Sequence, residues 1–253
     1  SLLQVHFTIS QYYMQYPTHI SIIPDGNRTR AKKQGLSILD GYIQSVYKWV
    51  ELIKHIFTTT PIKVLSWWWM STENRKKRWP EEIDFLFNMY QTCGNLLNDF
   101  LYEHKINFRW IGDDSSLPAD FLQYMSDMVK RFTFDTDRTL IFAINYGGQN
   151  EIVRGIKSYF TSASTGWTIE DKLNNLKEED LGRYMDLGSY PTVDLVVRTK
   201  WDQSSRISWF MSRRIGYAEL FFEPKLFQDV TTDDIDKTLT RFDSIVWSRN
   251  FWG

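Results

Sequence analysis

The 253-residue chain holds a single cysteine, Cys93, so it can form no internal disulfide; a reduced, intracellular setting is expected. Neither charge is in surplus. Lysine and arginine number 30 and aspartate and glutamate 31, a net charge of -1. That leaves no global basic field for nucleic acid and puts any anion binding in local clusters. No apolar run approaches the roughly 18 residues of a membrane-spanning helix. The opening stretch SLLQVHFTISQYYMQY lacks the cationic start and small-residue cleavage site of a signal peptide. There is no phosphate-binding GxxxxGK[ST] loop, no internal repeat and no linker long enough to divide the chain. One domain is therefore expected over residues 19–253, preceded by an extension at 1–18. What the chain does have in excess is aromatic residues, 16% of the total with 11 tryptophans. These either pack a core or line a pocket for a large apolar ligand.

Six short apolar runs, HISIIP (19–24), IKVLSWWWM (62–70), INFRWIG (106–112), RTLIFAINY (138–146), VDLVVRT (193–199) and YAELFF (217–222), are rich in β-branched and aromatic residues. Each is bounded by turn formers, as strands are. Between them, segments 37–57, 80–104, 118–132, 150–160 and 232–246 have helical spacing. Pro80-Glu81-Glu82 and the TTDD at 231–234 read as helix starts. Strand and helix alternate, which predicts an α/β domain with a mostly parallel six-stranded sheet flanked by helices. The polar stretch 161–184 reads as a helical excursion.

In such sheets the ligand lies beyond the carboxyl ends of the strands, and polar loops follow four of the runs. DGNRTRAKK (25–33) combines a close-approach glycine, Gly26, with Arg28, Arg30, Lys32 and Lys33, a setting for phosphate. A carboxylate amid such donors suits a magnesium ion bridging to a phosphate, which makes Asp25 a metal ligand. The alternative is an Asp-Gly turn leading into a solvated basic helix. In STENRKKR (71–78), Ser71 or Thr72 caps a helix or, with the helix beginning only at Pro80, Ser71, Glu73 and Asn74 stand in a loop beside four cations. Arg198, Arg206 and Ser208 in RTKWDQSSRIS match the fork geometry of a diphosphate. Glu219 is an acid in an apolar strand and calls for a cation or a metal.

Taken in order, HISIIPDGNRTRAKKQGL, STEN, NYGG, VDLVVRT, SSRIS and GYAELFF resemble the cis-prenyltransferase family, which includes the undecaprenyl diphosphate synthases, from about His19 to Phe222. The resemblance implies a single α/β catalytic domain with a hydrophobic tunnel, a homodimer, magnesium as cofactor, and a cytoplasmic enzyme with peripheral membrane contact. The implied reaction condenses isopentenyl diphosphate with an allylic diphosphate. Carried over by position, Asp25 is the metal and diphosphate residue. Gly26, Asn27, Arg28, Thr29 and Arg30 hold the allylic diphosphate, and Ser71, Thr72, Glu73, Arg75 and Lys77 form a second binding loop. Asn74 is the proton acceptor, although a diphosphate oxygen of the leaving group can fill that role. Arg198, Arg206, Ile207 and Ser208 bind isopentenyl diphosphate, and Glu219 ligates magnesium near the dimer contact.

The chain departs from the family's usual pattern where Thr29 replaces an arginine, Arg30 an aromatic, Ile38 an arginine, Tyr42 a histidine and Arg75 a tryptophan. A further family arginine falls at Lys77 or Arg78, and Asp202 stands where a glutamate is usual. The chain end SRNFWG lacks the usual Arg-x-Gly. These changes keep open an irregular synthase with branched or cyclised products, a non-catalytic binding subunit, and an enzyme that cyclises one allylic diphosphate. Strand alternation turns Trp67, Trp69 and Ser71 to one side and Trp68 to the other. Because long-chain members of the family usually have small residues near this position, an indole at 69 on the site side predicts a plugged tunnel and a short product of about two to four isoprene units. The alternative is that these tryptophans only pack the core beneath the helices.

Overall fold

The computed structural model describes residues 14–162, 167–200 and 206–252. All six expected strands form: β1 (His19–Ile23), β2 (Val64–Trp68), β3 (Asn107–Ile111), β4 (Thr139–Ala143), β5 (Leu195–Arg198) and β6 (Glu219–Phe222). They make one sheet in the order β3-β4-β2-β1-β5-β6, with every pairing parallel. Parallel neighbours need crossovers, and the helices supply them on both faces. These are α1 (Asn27–Lys33), α2 (Ile38–Thr59), α3 (Thr72–Lys77), α4 (Pro80–Glu103), α5 (Ala119–Arg131), α6 (Gly148–Thr161), α7 (Ile169–Asn175), α8 (Glu178–Arg183) and α9 (Thr232–Trp252). The excursion at 161–184 is thus α7 and α8, with residues 163–166 outside those described.

Strand alternation splits the core in two. Ile20, Ile22, Trp67 and Trp69 join the cluster under α2, α4 and α5, whereas Ile23, Val64 and Trp68 join Phe210 and Met211 on the other face. The tryptophan parity expected from the sequence is the parity observed. Trp68 stacks on Phe210, with ring centroids 4.6 Å apart.

One strand-end polar residue is structural. His19 is fully buried, its Nδ1 3.0 Å from the Pro191 carbonyl and its Nε2 2.6 Å from Ser66 Oγ. A carbonyl only accepts, so the neutral ring carries its proton on Nδ1 and Nε2 accepts from the hydroxyl. Burial lowers the His19 pKa to about 4, against the raising effect of the Pro191 hydrogen bond.

Ahead of β1, Met14 and Tyr16 pack on the first cluster, and Gln15 N–H donates to Asp243 Oδ1 at 2.7 Å. The remainder of the expected extension, residues 1–13, lies outside the described residues. Among the described residues no helix is long and apolar enough to cross a membrane.

Candidate active site

The carboxyl ends of β1, β2 and β5 stand side by side, so the loops that follow them meet at one edge. There they enclose a cavity of about 430 Å³. Its polar wall carries Asp25, Gly26, Asn27, Arg28 and Thr29 from the first loop, Ser71, Glu73 and Asn74 from the second, and Arg198, Lys200 and Ser208 from the third.

Local chemistry explains the geometry. Gly26 has φ +112°, and a Cβ there would lie 2.9 Å from Leu226 Cδ2, so only glycine fits before α1. No side chain caps the first turn of α1. The Arg198-Thr199 pair ties β5 to this turn twice. Arg198 Nη2 meets Asp25 Oδ2 at 2.8 Å, and Thr199 Oγ1 donates to the Asp25 carbonyl at 2.6 Å. Arg198 Nη1 also donates to the Arg206 carbonyl and lies 3.4 Å from Ser208 Oγ. Asn27 Oδ1 accepts from Ser45 Oγ of α2 at 3.1 Å.

The second loop is a helix, which corrects the reading that leaves Ser71, Glu73 and Asn74 in a loop as far as Pro80. Ser71 Oγ accepts from Asn74 N–H at 2.9 Å and opens the six-residue α3, and a separate helix begins at Pro80. Helical geometry then divides the side chains. Glu73 and Asn74 line the cavity with Ser71, whereas Arg75 turns away to the Ser116 carbonyl. Lys77 pairs with Glu73, holding that carboxylate below its usual pKa range. Arg78 takes the wall position instead, 87% buried in its side chain and over the Tyr42 ring at 5.8 Å. Thr72 backs onto Gly147 of the NYGG turn, where an added Cβ would lie 2.6 Å from its Oγ1.

Other expected residues are also absent from the cavity lining. Arg30 donates to Asp229 (2.7 Å), Gln34 (3.0 Å) and Gln44 (2.7 Å), so it does not replace the charge missing at Thr29. Arg206 is exposed, and Ile207 packs on the second core cluster. Glu219 begins β6 opposite Leu195, at the far end of the strand pair from Arg198. Within this chain it is not brought to Asp25. Asp202 lies outside the described residues.

The sequence turns Trp69 to the site side but gives no sign of the rest of the apolar floor. Trp49, Trp69, Leu86 and Tyr90 line the cavity below the polar wall. Trp49 and Trp69 meet edge-to-face at 4.2 Å, and Trp69 also touches Phe142 (4.5 Å) and Tyr90 (4.9 Å). These rings pack against one another between the sheet and helices α2 and α4. Helical spacing marks Trp49 as core, but nothing in the sequence pairs it with Trp69, twenty residues later. Burial raises the Tyr42 and Tyr90 hydroxyl pKa values well above their ordinary range, so both stay protonated donors. Tyr42 donates to Glu82 Oε1 (2.8 Å) and Tyr90 to the Trp69 carbonyl (3.1 Å).

Among the described residues no cluster of three histidine, cysteine, aspartate or glutamate side chains stands ready to hold a metal unaided. The cavity offers two carboxylates, Asp25, 36% exposed at its side chain, and Glu73, which is paired with Lys77. That donor set fits a magnesium ion that takes its remaining ligands from phosphate oxygens and water.

Fold and site together describe a parallel α/β protein with a cationic, aromatic-floored cleft at a strand-end edge. The family model for undecaprenyl diphosphate synthase matches residues 23–249. A tritrans,polycis-undecaprenyl-diphosphate synthase (geranylgeranyl-diphosphate specific) of Pyrobaculum aerophilum is 31% identical over 88% of this chain and 91% of its own. An enzyme of the same description from Thermoplasma acidophilum is 36% identical over 81% of this chain and 78% of its own. The crystal structure of lavandulyl diphosphate synthase from Lavandula x intermedia, in complex with dimethylallyl diphosphate, superposes with a TM-score of 0.81 at 26% identity. It covers 90% of this chain and 95% of that one. The chain belongs to the cis-prenyltransferase family, enzymes that make prenyl diphosphates from isopentenyl diphosphate.

Proposed function

We propose that this protein is a magnesium-dependent synthase that condenses isopentenyl diphosphate with an allylic diphosphate and makes a short cis-prenyl diphosphate. The observation that carries the reading is the single cavity wall on which Asp25, Arg28, Asn74, Arg198 and Ser208 meet above the Trp49–Trp69 floor. Arg28 and the α1 turn take the allylic diphosphate, and Arg198 with Ser208 takes that of isopentenyl diphosphate. Asp25 holds magnesium, which when bound supplies positive charge to the leaving diphosphate. The two cationic positions on either side of Asp25 align the alkene of one substrate with the allylic carbon of the other. Asn74, or a diphosphate oxygen beside it, accepts the proton lost as the new double bond forms. The aromatic floor leaves little room for a growing chain, which limits the product to roughly two to four isoprene units.

A second reading, an irregular branched or cyclised product, is favoured by the likeness to a lavandulyl diphosphate synthase. A homodimer joined through the outer strand β6, where Leu220 is 41% exposed and Tyr217 almost wholly so, accompanies either reading.

The test is incubation of the purified protein with magnesium, isopentenyl diphosphate and in turn dimethylallyl, geranyl and farnesyl diphosphate. Products are dephosphorylated and identified by mass and double-bond geometry, with Asp25→Ala as the blank. A short cis product lengthening in Trp69→Ala is the expected result. That variant loses about 3–5 kcal/mol of stability and is assayed well below its melting midpoint. A branched product from dimethylallyl diphosphate alone selects the irregular reading, and no turnover with any primer defeats both.

A further inference from the structure

We propose that Glu82 is the positioning residue of the allylic half of the cavity. Its carboxylate gathers the guanidinium groups of Arg28 and Arg78 at the wall and so sets the cationic pair that meets the allylic diphosphate. The proposal rests on the diphosphate reading of that cavity.

Glu82 lies in the first turn of α4 and is fully buried. Three groups converge on its Oε1: the Tyr42 hydroxyl at 2.8 Å, Arg78 Nε at 3.4 Å and Arg28 Nε at 4.0 Å. Among the described residues its Oε2 has no hydrogen-bond partner. Two cations this close repel each other unless an anion stands between them, and a buried guanidinium without one is strongly unfavourable. Glu82 is that anion. Both arginines line the cavity, each with its guanidinium over a ring, Arg28 over Trp79 at 5.7 Å and Arg78 over Tyr42 at 5.8 Å. With Nε drawn toward Glu82, the outer nitrogens remain for a ligand. Among the described residues Arg78 Nε, although ion-paired with Glu82, and Arg78 Nη1 are both buried and make no hydrogen bond. A buried donor without a partner at a cavity wall is the signature of a group completed by an anion.

The need for the device follows from this chain's own residues. Thr29, Ile38 and Tyr42 are neutral where the family resemblance expects two arginines and a histidine, and Arg30 is spent on Asp229. Arg28 and Arg78 are the cations left on this side of the cavity, and they come from different segments. Only a shared counter-ion holds them as one site. Glu82 touches neither substrate, so its action is exerted through the arginines.

The experiment compares the wild type with Glu82→Gln, which keeps the shape and removes the charge. Dissociation constants are measured with magnesium present, by quenching of tryptophan fluorescence, for geranyl S-thiolodiphosphate (an allylic analogue that does not ionise) and for isopentenyl diphosphate. Analogue binding is expected to weaken tenfold or more while isopentenyl diphosphate stays within twofold. In turnover the allylic KM rises and that for isopentenyl diphosphate does not. Equal weakening of both ligands, or of neither, overturns the proposal. A wild type that binds neither ligand defeats the diphosphate reading itself. Tyr42→Phe removes a tether of the carboxylate and keeps its charge. It is read if Glu82→Gln does not fold, with an expected loss of about threefold for the analogue alone, and unchanged analogue affinity there overturns the proposal.

Discussion

At the scale of the residue, the cavity depends on single atoms that no neighbour can replace. Gly26 is the clearest case. Its φ of +112° and the 2.9 Å approach of Leu226 to an added Cβ act together. Gly26→Ala is therefore expected to cost about 1–3 kcal/mol and to tilt α1 away from the cavity. A drop in melting midpoint with loss of allylic diphosphate binding checks this, and a stable variant with unaltered binding speaks against it. Asp25 and Gly26 were legible in the sequence as a close-approach turn after a buried strand, and the structure puts both in the cavity lining, although an Asp-Gly turn into a solvated basic helix is an equal reading of the same residues. Arg78 was not separable from Lys77. The two are adjacent, and only the turn of α3 decides which guanidinium or ammonium reaches the wall.

At the scale of the element, the long helices and all six strands could be read from periodicity, since each buries a face against the sheet. The short ones could not. α1 and α3 run seven and six residues, too few for an apolar stripe or for stability on their own. α3 exists because Ser71 caps it and because the Ser71–Tyr146 bridge and the Thr72–Gly147 contact hold its start. Losing the cap costs about 1 kcal/mol. Ser71→Ala should thus shift the melting midpoint by only a few degrees. Turnover should fall at least tenfold, because Asn74 leaves its place in the wall. A turnover loss no larger than the stability change predicts would count against this role for the cap.

At the scale of the whole molecule, the sheet divides the chain into two cores and one chemical edge. Its buried polar tie, His19 between Ser66 and Pro191, makes folding sensitive to acid. The ring's pKa falls from an ordinary 6.5 to about 4 on folding, so the unfolded chain takes up its proton first as pH drops. The stabilisation is complete above pH 6.5 and declines as pH falls toward 4, by up to about 3 kcal/mol at 1.36 kcal/mol per unit. Urea unfolding across that window should show a steeper decline in the wild type than in His19→Gln. Parallel curves for the two proteins would exclude His19 as the source.

The sequence by itself determined the class of fold, the register of the tryptophan run, and the three loops that carry the charged groups. Each of these follows from local rules: period-2 alternation, turn formers at strand ends, and the polarity of what comes next. Only the tertiary structure decided which of those groups share a cavity. It set Arg78 rather than Lys77 at the wall, gave Arg30 to Asp229, left Glu219 at the opposite end of β6, and brought Trp49 of α2 against Trp69 after β2. The reason is physical. Contacts between residues distant in sequence are fixed by how elements pack and by which buried charge finds a partner, and local pattern carries neither.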